Sequence, residues 1–317
     1  MGISSFKTGS MKRSFLAGNA AYDPLSNARG LFGGGYIGSN SNVIEYVTIS
    51  TTGNATDFGD LTRGGAHGQS GCASLTRGLF GGGYDSYMTN VIEYVTIMST
   101  GNATDFGDLT RTSHVNGSCS SSTRGLFGGG YNADINPQNI IDYVTIASTG
   151  NATDFGDLTV ARTTPGSCAS STRGLFGGGT TGANTNVIDY VTIATTGNAI
   201  DFGDLTVSRQ GVTGCSSSTR GLFGGGYTDS NSNVIDYVTI STTGNATDFG
   251  DLTSSGLGAA AASSSIRGIF GGRGEPNSNI IDYVTIASTG NAIDFGDLTE
   301  VKRYLGALSN GHGGLAA

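Results

Sequence analysis

Few cations, few histidines and no long apolar run mark this chain of 317 residues. Its 16 Lys plus Arg stand against 24 Asp plus Glu, for a formal net charge of −8. A nucleic-acid surface needs clustered cations to displace counterions from phosphate. Here the arginines are dispersed along the chain, so nucleic acid is not expected as a partner. No apolar stretch approaches the ~20 residues of a membrane helix. Met11–Ala21 (MKRSFLAGNAA) has an apolar core of only Phe15–Ala17, short of the ~7–15 residues of a signal peptide. Phe6 stands where a myristoylation signal requires Ser or Thr. Neither membrane insertion nor a leader is expected. Three histidines form no Ser–His–Asp or Cys–His grouping with a visible spacing, so neither enzyme activity nor a cofactor is expected.

The four cysteines, Cys72, Cys119, Cys168 and Cys215, lie 47, 49 and 47 residues apart. They occupy one equivalent place in successive repeats, whereas a disulfide framework joins different places at close range. They read as small half-buried residues that Ser or Ala would replace. His67 and His114 each precede a cysteine by five residues. A metal centre needs three or four ligands, so they read as polar loop residues near a channel mouth, and no metal is expected.

Glycine is abundant: 55 residues, about 17% against a usual ~7%. Disordered glycine-rich chains lack aromatic and β-branched residues; this one has 14 Phe and 13 Tyr, placed in register. The phrase RGLFGGG recurs from Arg29, Arg77, Arg124, Arg173 and Arg220, and as RGIFGGR from Arg267, at spacings of 48, 47, 49, 47 and 47. Repeats of this length are propeller blades. Each contains four strand-like runs, for example Gly214–Thr219, Arg220–Gly226, Asn233–Ile240 and Ala246–Thr253, separated by Gly, Asn and Ser. No segment has helical periodicity with caps. The fold expected is all-β, a six-bladed propeller with four antiparallel strands per blade. Gly33–Gly35 and their copies are expected to let strands approach closely.

The order Arg, small residues, hydrophobic–Phe–Gly–Gly, Tyr, aromatic–Leu resembles the kelch repeat over roughly residues 13–310. Gly33–Gly34 and Gly81–Gly82 match its glycine pair, and Tyr46, Tyr94, Tyr143, Tyr190, Tyr237 and Tyr283 its tyrosine. Trp is absent; Phe58, Phe106 and their copies stand in for it at a longer spacing. The wording also resembles repeats in predicted structural proteins of marine tailed phages. The kelch resemblance implies that the first strand is innermost and the fourth outermost. Asp57 and Asp60 then lie on outer strands, where charge discourages edge pairing or pairs with the repeat's arginines; their spacing matches no defined calcium loop. The kelch copper oxidases would need a His and Tyr cluster, for which three histidines are too few. Asn54, Asn102, Asn151 and Asn245 begin NAT sequons; Asn198 and Asn291 are followed by Ala-Ile instead, so Asn serves the geometry of its own turn.

Residues 1–12 read as an arm, 13–299 as the propeller and 300–317 as a ring-closing strand and tail. Both Met11–Asp23 and Val301–Gly313 look like innermost strands, and closure within one chain is the favoured reading.

Connections in an antiparallel meander alternate between the two ends of the strands. One face collects the near-invariant turns (SSST, STTGN); the other collects loops that differ in every repeat. Drift and recognition both produce such variability, and a Tyr- and Asn-rich surface suits recognition. The candidate ligand residues are Tyr36, Asn40, Tyr84, Asp85, Tyr87, Tyr131, Asn132, Tyr227, Asp229, Arg273 and Glu275. The expected role is a non-enzymatic phage virion protein, of the tail or an external fibre, binding a host-surface glycan or protein beside other virion proteins, with a homo-oligomer allowed. A decoration protein docked by its uniform face and a cellular kelch-type scaffold are the alternatives.

Overall fold

The structure, a computed structural model, describes residues 27–63, 66–274 and 276–315. Its strands form six four-stranded antiparallel sheets and one two-stranded hairpin. The sheets are the blades of an all-β propeller. Blade two runs outward from Ser70–Ala73 through Arg77–Gly81 and Val91–Thr96 to Thr104–Asp108. Blades three to six repeat that order. Blade one draws its inner strand, Gly306–Ser309, from the far end of the chain, paired with Arg29–Gly33 in the register Gly30↔Ser309 to Gly33↔Gly306. The ring is thus fastened by its last strand. The competing segment Met11–Asp23 lies outside the described residues.

Apolar residues are buried between blades rather than within them. Leu31, Ile44, Phe58 and Leu61 of blade one pack with Ala73, Phe80, Val95 and Ile97 of blade two, and comparable clusters fill the other junctions. This explains the glycine phrase in a more specific way than strand crowding. A Cβ on Gly33 would stand 2.9 Å from the Phe80 ring, and the same relation runs round the ring to Gly271 against Phe32. The first glycine of each copy is the socket for the next blade's Phe, while the second and, in blades one to five, the third adopt positive φ, +65° and +106° at Gly34 and Gly35.

The cysteines are fully buried rather than half-buried, at 3–5% exposure. Their sulfurs point between blades at the glycine of the RG pair; a Cβ on Gly125 would lie 2.6 Å from Cys72 Sγ. Burial pushes the thiols up, Cys119 to about 12, so they remain unreactive thiols at neutral pH. Serines of the innermost strands bind the neighbouring strand across five of the six gaps. Ser216 Oγ donates to Ala169 O at 2.7 Å and accepts from Ala169 N–H at 3.2 Å.

The repeated arginines clamp blades together. Arg29 lies 4.4 Å over the Tyr46 ring and its Nη1 donates to Ile97 O of blade two at 3.0 Å; the pattern recurs in every blade. They do not pair with Asp57 or Asp60. The turn asparagines also have a different task from the one expected. Asn102 Oδ1 accepts from Asp60 N–H of the preceding blade at 3.1 Å, while Gly101 N–H and Ala103 N–H donate to Phe58 O and Asp60 O. Each outer edge is therefore covered by the neighbouring turn as well as guarded by charge.

A buried acid on each third strand forms the deepest polar contact: Glu45, Glu93, Asp142, Asp189, Asp236 and Asp282. The Thr of the preceding GDLT binds it, as Thr206 N–H and Oγ1–H bind Asp236 at 3.2 and 2.5 Å. Five of these acids also hold a cation: Lys302, Arg63, Arg162, Arg209 and Arg273 pair with Glu45, Glu93, Asp189, Asp236 and Asp282. Asp142 has no ion pair of this kind among the described residues and is bound by Thr110; burial raises its pKa. No helix among the described residues is long and apolar enough to cross a membrane.

Candidate functional site

On the variable face each blade makes one isolated backbone bridge between the loop before its inner strand and the loop after its second strand. The bridges are Arg303–Tyr36, His67–Tyr84, His114–Tyr131, Thr163–Thr180, Gln210–Tyr227 and Leu257–Gly274. Each displays two side chains at the mouth of the ring, except in blade six, where Gly274 leaves Leu257 alone. Blades one to three therefore gather tyrosines, imidazoles and a guanidinium, while blades four to six offer smaller or aliphatic groups apart from Tyr227.

The result is an aromatic crescent. The His67 ring centroid lies 5.5 Å from Tyr36, 5.4 Å from Tyr84, 5.1 Å from His114 and 6.3 Å from Tyr304. Arg303 stands 5.3 Å over Tyr304 and 5.8 Å over Tyr36. A groove of about 470 Å³ opens along it, walled by His67, Tyr84, Met88, His114 and Tyr131, with Val115, Thr163, Thr164 and Tyr304 on its axial side. No carboxylate is among its described lining residues. Such walls suit the apolar face of a sugar ring or an aromatic side chain, which stack on tyrosine with little ordering of the protein.

Both imidazoles are held towards the neutral form, and His67 is also fixed by hydrogen bonding. Asn40 Nδ2 donates to Tyr84 O at 3.1 Å, leaving Asn40 Oδ1 to accept from His67 Nδ1–H at 2.6 Å. His67 Nε2 is then an acceptor. Burial and the Arg303 charge lower the His67 pKa; burial and His67 lower that of His114 to about 4. The histidines, too few in the sequence reading for a His and Tyr cluster, do assemble with tyrosines here. No group of three or more His, Cys, Asp or Glu among the described residues is placed to hold a metal.

Beneath the crescent the mouth is strung by peptide hydrogen bonds: Gly68 N–H to Tyr304 O, Val115 N–H to Gly68 O, Thr164 N–H to Val115 O and Tyr304 N–H to Gly258 O. Every residue at this position has positive φ, including Tyr304, Val115 and Thr164 at 56°, 54° and 54°. A β-branched residue there carries about 1–3 kcal/mol of backbone strain. Blades two, five and six use glycine. Val115→Gly is therefore expected to raise stability by about 1 kcal/mol, roughly 1–2 °C in a thermal melt, while removing an apolar wall of the groove. An unchanged or lower melting temperature would count against the strain.

Of the residues expected at the site, Tyr36, Tyr84 and Tyr131 meet in the crescent and Asn40 orients its central imidazole. Asp85 and Tyr87 sit on a short hairpin found in blade two, Tyr84–Asp85 with Tyr87–Met88, where Tyr87 is 74% exposed. Tyr227 and Asp229 lie on the opposite arc; Asp229 borders a separate polar groove of about 500 Å³ with Asn184 and Gln210. Two assignments need correction. Asn132 is buried, its amide spent on Thr112 O of the loop before the inner strand and on Asp134 and Ile135 N–H of its own loop. Arg273 is buried at 1% exposure and paired with Asp282 at 2.7 Å, so it supports the blade rather than meeting a ligand. Glu275 lies outside the described residues. The sequence reading did not place His67, His114, Val115 or Tyr304 in the site. The two histidines carried a usable signal, their equivalent places in adjacent variable loops.

The fold and site together define a six-bladed β-propeller with an aromatic groove on its variable face. No protein-family model matches the chain, and no curated protein sequence is similar to it.

Proposed function

We propose that this propeller is a non-enzymatic recognition protein whose variable face binds a host-surface glycan or protein, as part of a phage tail or other external fibre. The observation that carries the recognition reading is the crescent. Copies of one brick, otherwise near-identical, differ at the bridge positions so as to assemble His67, Tyr84, His114, Tyr131 and Tyr304 around one groove. The virion setting rests on the likeness of the repeat wording to structural proteins of marine tailed phages, and kelch-type architecture agrees with the blade order.

Tyr84→Ala/Tyr131→Ala removes both tyrosine walls of the groove. Each stacking contact contributes about 0.5–1.5 kcal/mol beyond its buried area, so the pair is expected to weaken binding by roughly tenfold to a hundredfold. Glycan-array and whole-cell adsorption assays would read the loss, with Tyr227→Ala on the opposite arc as a control that keeps affinity. Survival of binding when Tyr36, Tyr84, Tyr87, Tyr131 and Tyr227 are all alanine would end this reading.

The uniform face supports a second reading, docking on a virion shell as a decoration protein. Leu75, Met98 and Ile266 are exposed there at 49%, 51% and 57%, within turns otherwise made of Ser, Thr and Gly. On that reading charged replacements at these positions abolish incorporation into particles and leave host adsorption by free protein unchanged.

A further inference from the structure

At the uniform-face end of the axial channel the chain turns back into its own ring. After the inner strand Gly306–Ser309, residues Asn310 to His312 lead into a single 3-10 turn, Gly313–Leu315. That turn packs on the inner strands of blades three, four and five. The fit admits no side chain: a Cβ on Gly313 would lie 2.0 Å from Ser217 O, and one on Gly314 would lie 1.8 Å from Ser120 O. Asn310 ties the segment to blades one and two, its Oδ1 accepting from Arg29 N–H at 2.8 Å and its Nδ2 donating to Leu75 O at 3.4 Å.

His312 is the centre of the arrangement. Gly314 N–H donates to its Nδ1 at 3.1 Å. Nδ1 must therefore carry a lone pair, and the ring proton belongs on Nε2. Nε2–H then donates to Ala73 O at 3.0 Å, with Ser120 Oγ 3.2 Å away. Only the neutral Nε2–H tautomer satisfies both contacts.

We propose that residues 310–315 form an acid-opened plug of the axial channel, with His312 as its latch. One proton from solvent adds to Nδ1, displaces the Gly314 N–H and leaves an imidazolium in the channel mouth. No acid answers it. The titratable groups facing it from the surrounding strands are the thiols of Cys72, Cys119, Cys168 and Cys215, which burial keeps protonated and neutral. Blades six and one present Ala262 and Leu308 at that level. The released segment hydrates its imidazolium instead.

The direction of the pH effect follows. In the seated plug, burial lowers the His312 pKa from 6.5 to about 4. The seated form binds fewer protons than the released form between those values. Seating is therefore strongest above pH ~6.5 and weakens about tenfold per pH unit down to ~4.

Amide hydrogen exchange on the full chain, corrected for the intrinsic pH dependence, tests this. Between pH 7.4 and pH 4.5 the amides of Gly314 and Leu315 are expected to lose protection, while the strand Gly306–Ser309 keeps it. Equal protection of Gly314 at both values would overturn the proposal. His312→Gln keeps a donor and an acceptor without a titrating group, so it is expected to remain protected at pH 4.5. Opening of His312→Gln in acid as in the parent would place the sensor elsewhere and refute the latch. Should His312→Gln be unprotected at both values, the parent's imidazole decides by NMR. A ring that stays neutral with its proton on Nε2 down to pH ~5 supports the latch, and one that titrates near 6.5 overturns it.

Discussion

Asp236→Ala is expected to lower the unfolding free energy by about 3–5 kcal/mol, the range for removing one partner of a buried ion pair. The substitution leaves the Arg209 guanidinium at 0% exposure without its carboxylate and strips the acceptor from both donors of Thr206. Burial already lowers the Arg209 pKa, and the Asp236 charge opposes that shift. Without Asp236 the arginine must remain charged in an apolar setting or pull water in beneath the loops of blade five. Most of the loss is the penalty of the abandoned charge rather than the worth of the pair. Arg209→Met combined with Asp236→Leu is accordingly expected to recover most of the stability. Urea unfolding of the two single variants and the double variant measures the coupling. A single-variant loss below about 1 kcal/mol, the scale of an exposed pair, would show that the site is wetter than its geometry implies.

The ion pairs also show where the sequence stops being legible. The acid is periodic, always two residues after the first β-branched residue of the third strand. Its cation is not: Arg162, Arg209 and Lys302 precede the inner strand, Arg63 sits earlier in its loop, and Arg273 ends the second strand. A requirement of the folded state is met from three places in the repeat, so no spacing betrays it, and Arg273 looks like a free surface donor. The turn asparagines mislead for a related reason. Their partner, such as Asp60 N–H for Asn102, lies in the preceding blade, and a local reading sees only a turn.

What periodicity controls, it discloses. The strands Arg220–Gly224, Val234–Thr239 and Thr247–Asp251 fall inside the runs read from the fifth repeat, and Thr213–Ser216 begins one residue before its run. Blade number, strand order and the division into a uniform and a variable face follow from copies laid in register. The site is legible only in part because it is made of departures from the repeat. Tyrosines in variable loops are conspicuous singly, but the bridge that sets Tyr84 against His67 joins loops separated by a full inner strand and second strand. Polarity alone also cannot separate Asn40, which orients an imidazole at the site, from Asn132, which holds its own loop.

Phe270→Ala is expected to cost about 3–5 kcal/mol, since a fully buried ring at a blade junction is removed and its socket is left empty. The socket makes a more discriminating prediction. Gly224 has no left-handed φ, so alanine there is conformationally acceptable, and any loss is steric. Its Cβ would stand 2.7 Å from the Phe270 ring, and the ring is held on every side, so Gly224→Ala is expected to cost about 1–3 kcal/mol. If the two positions form one knob and hole, the changes compensate. Gly224→Ala with Phe270→Leu should then be more stable than the sum of its parts by about 0.5–3 kcal/mol. Additive losses would mean that the glycine serves its own strand. Gly225, at φ +66°, is the internal contrast: no shortening of a neighbouring side chain relieves its backbone, so Gly225→Ala is expected to stay destabilising beside Phe270→Leu. Denaturant midpoints for these variants separate the two uses of glycine within one triplet, a socket at its first position and a backbone bend at the next.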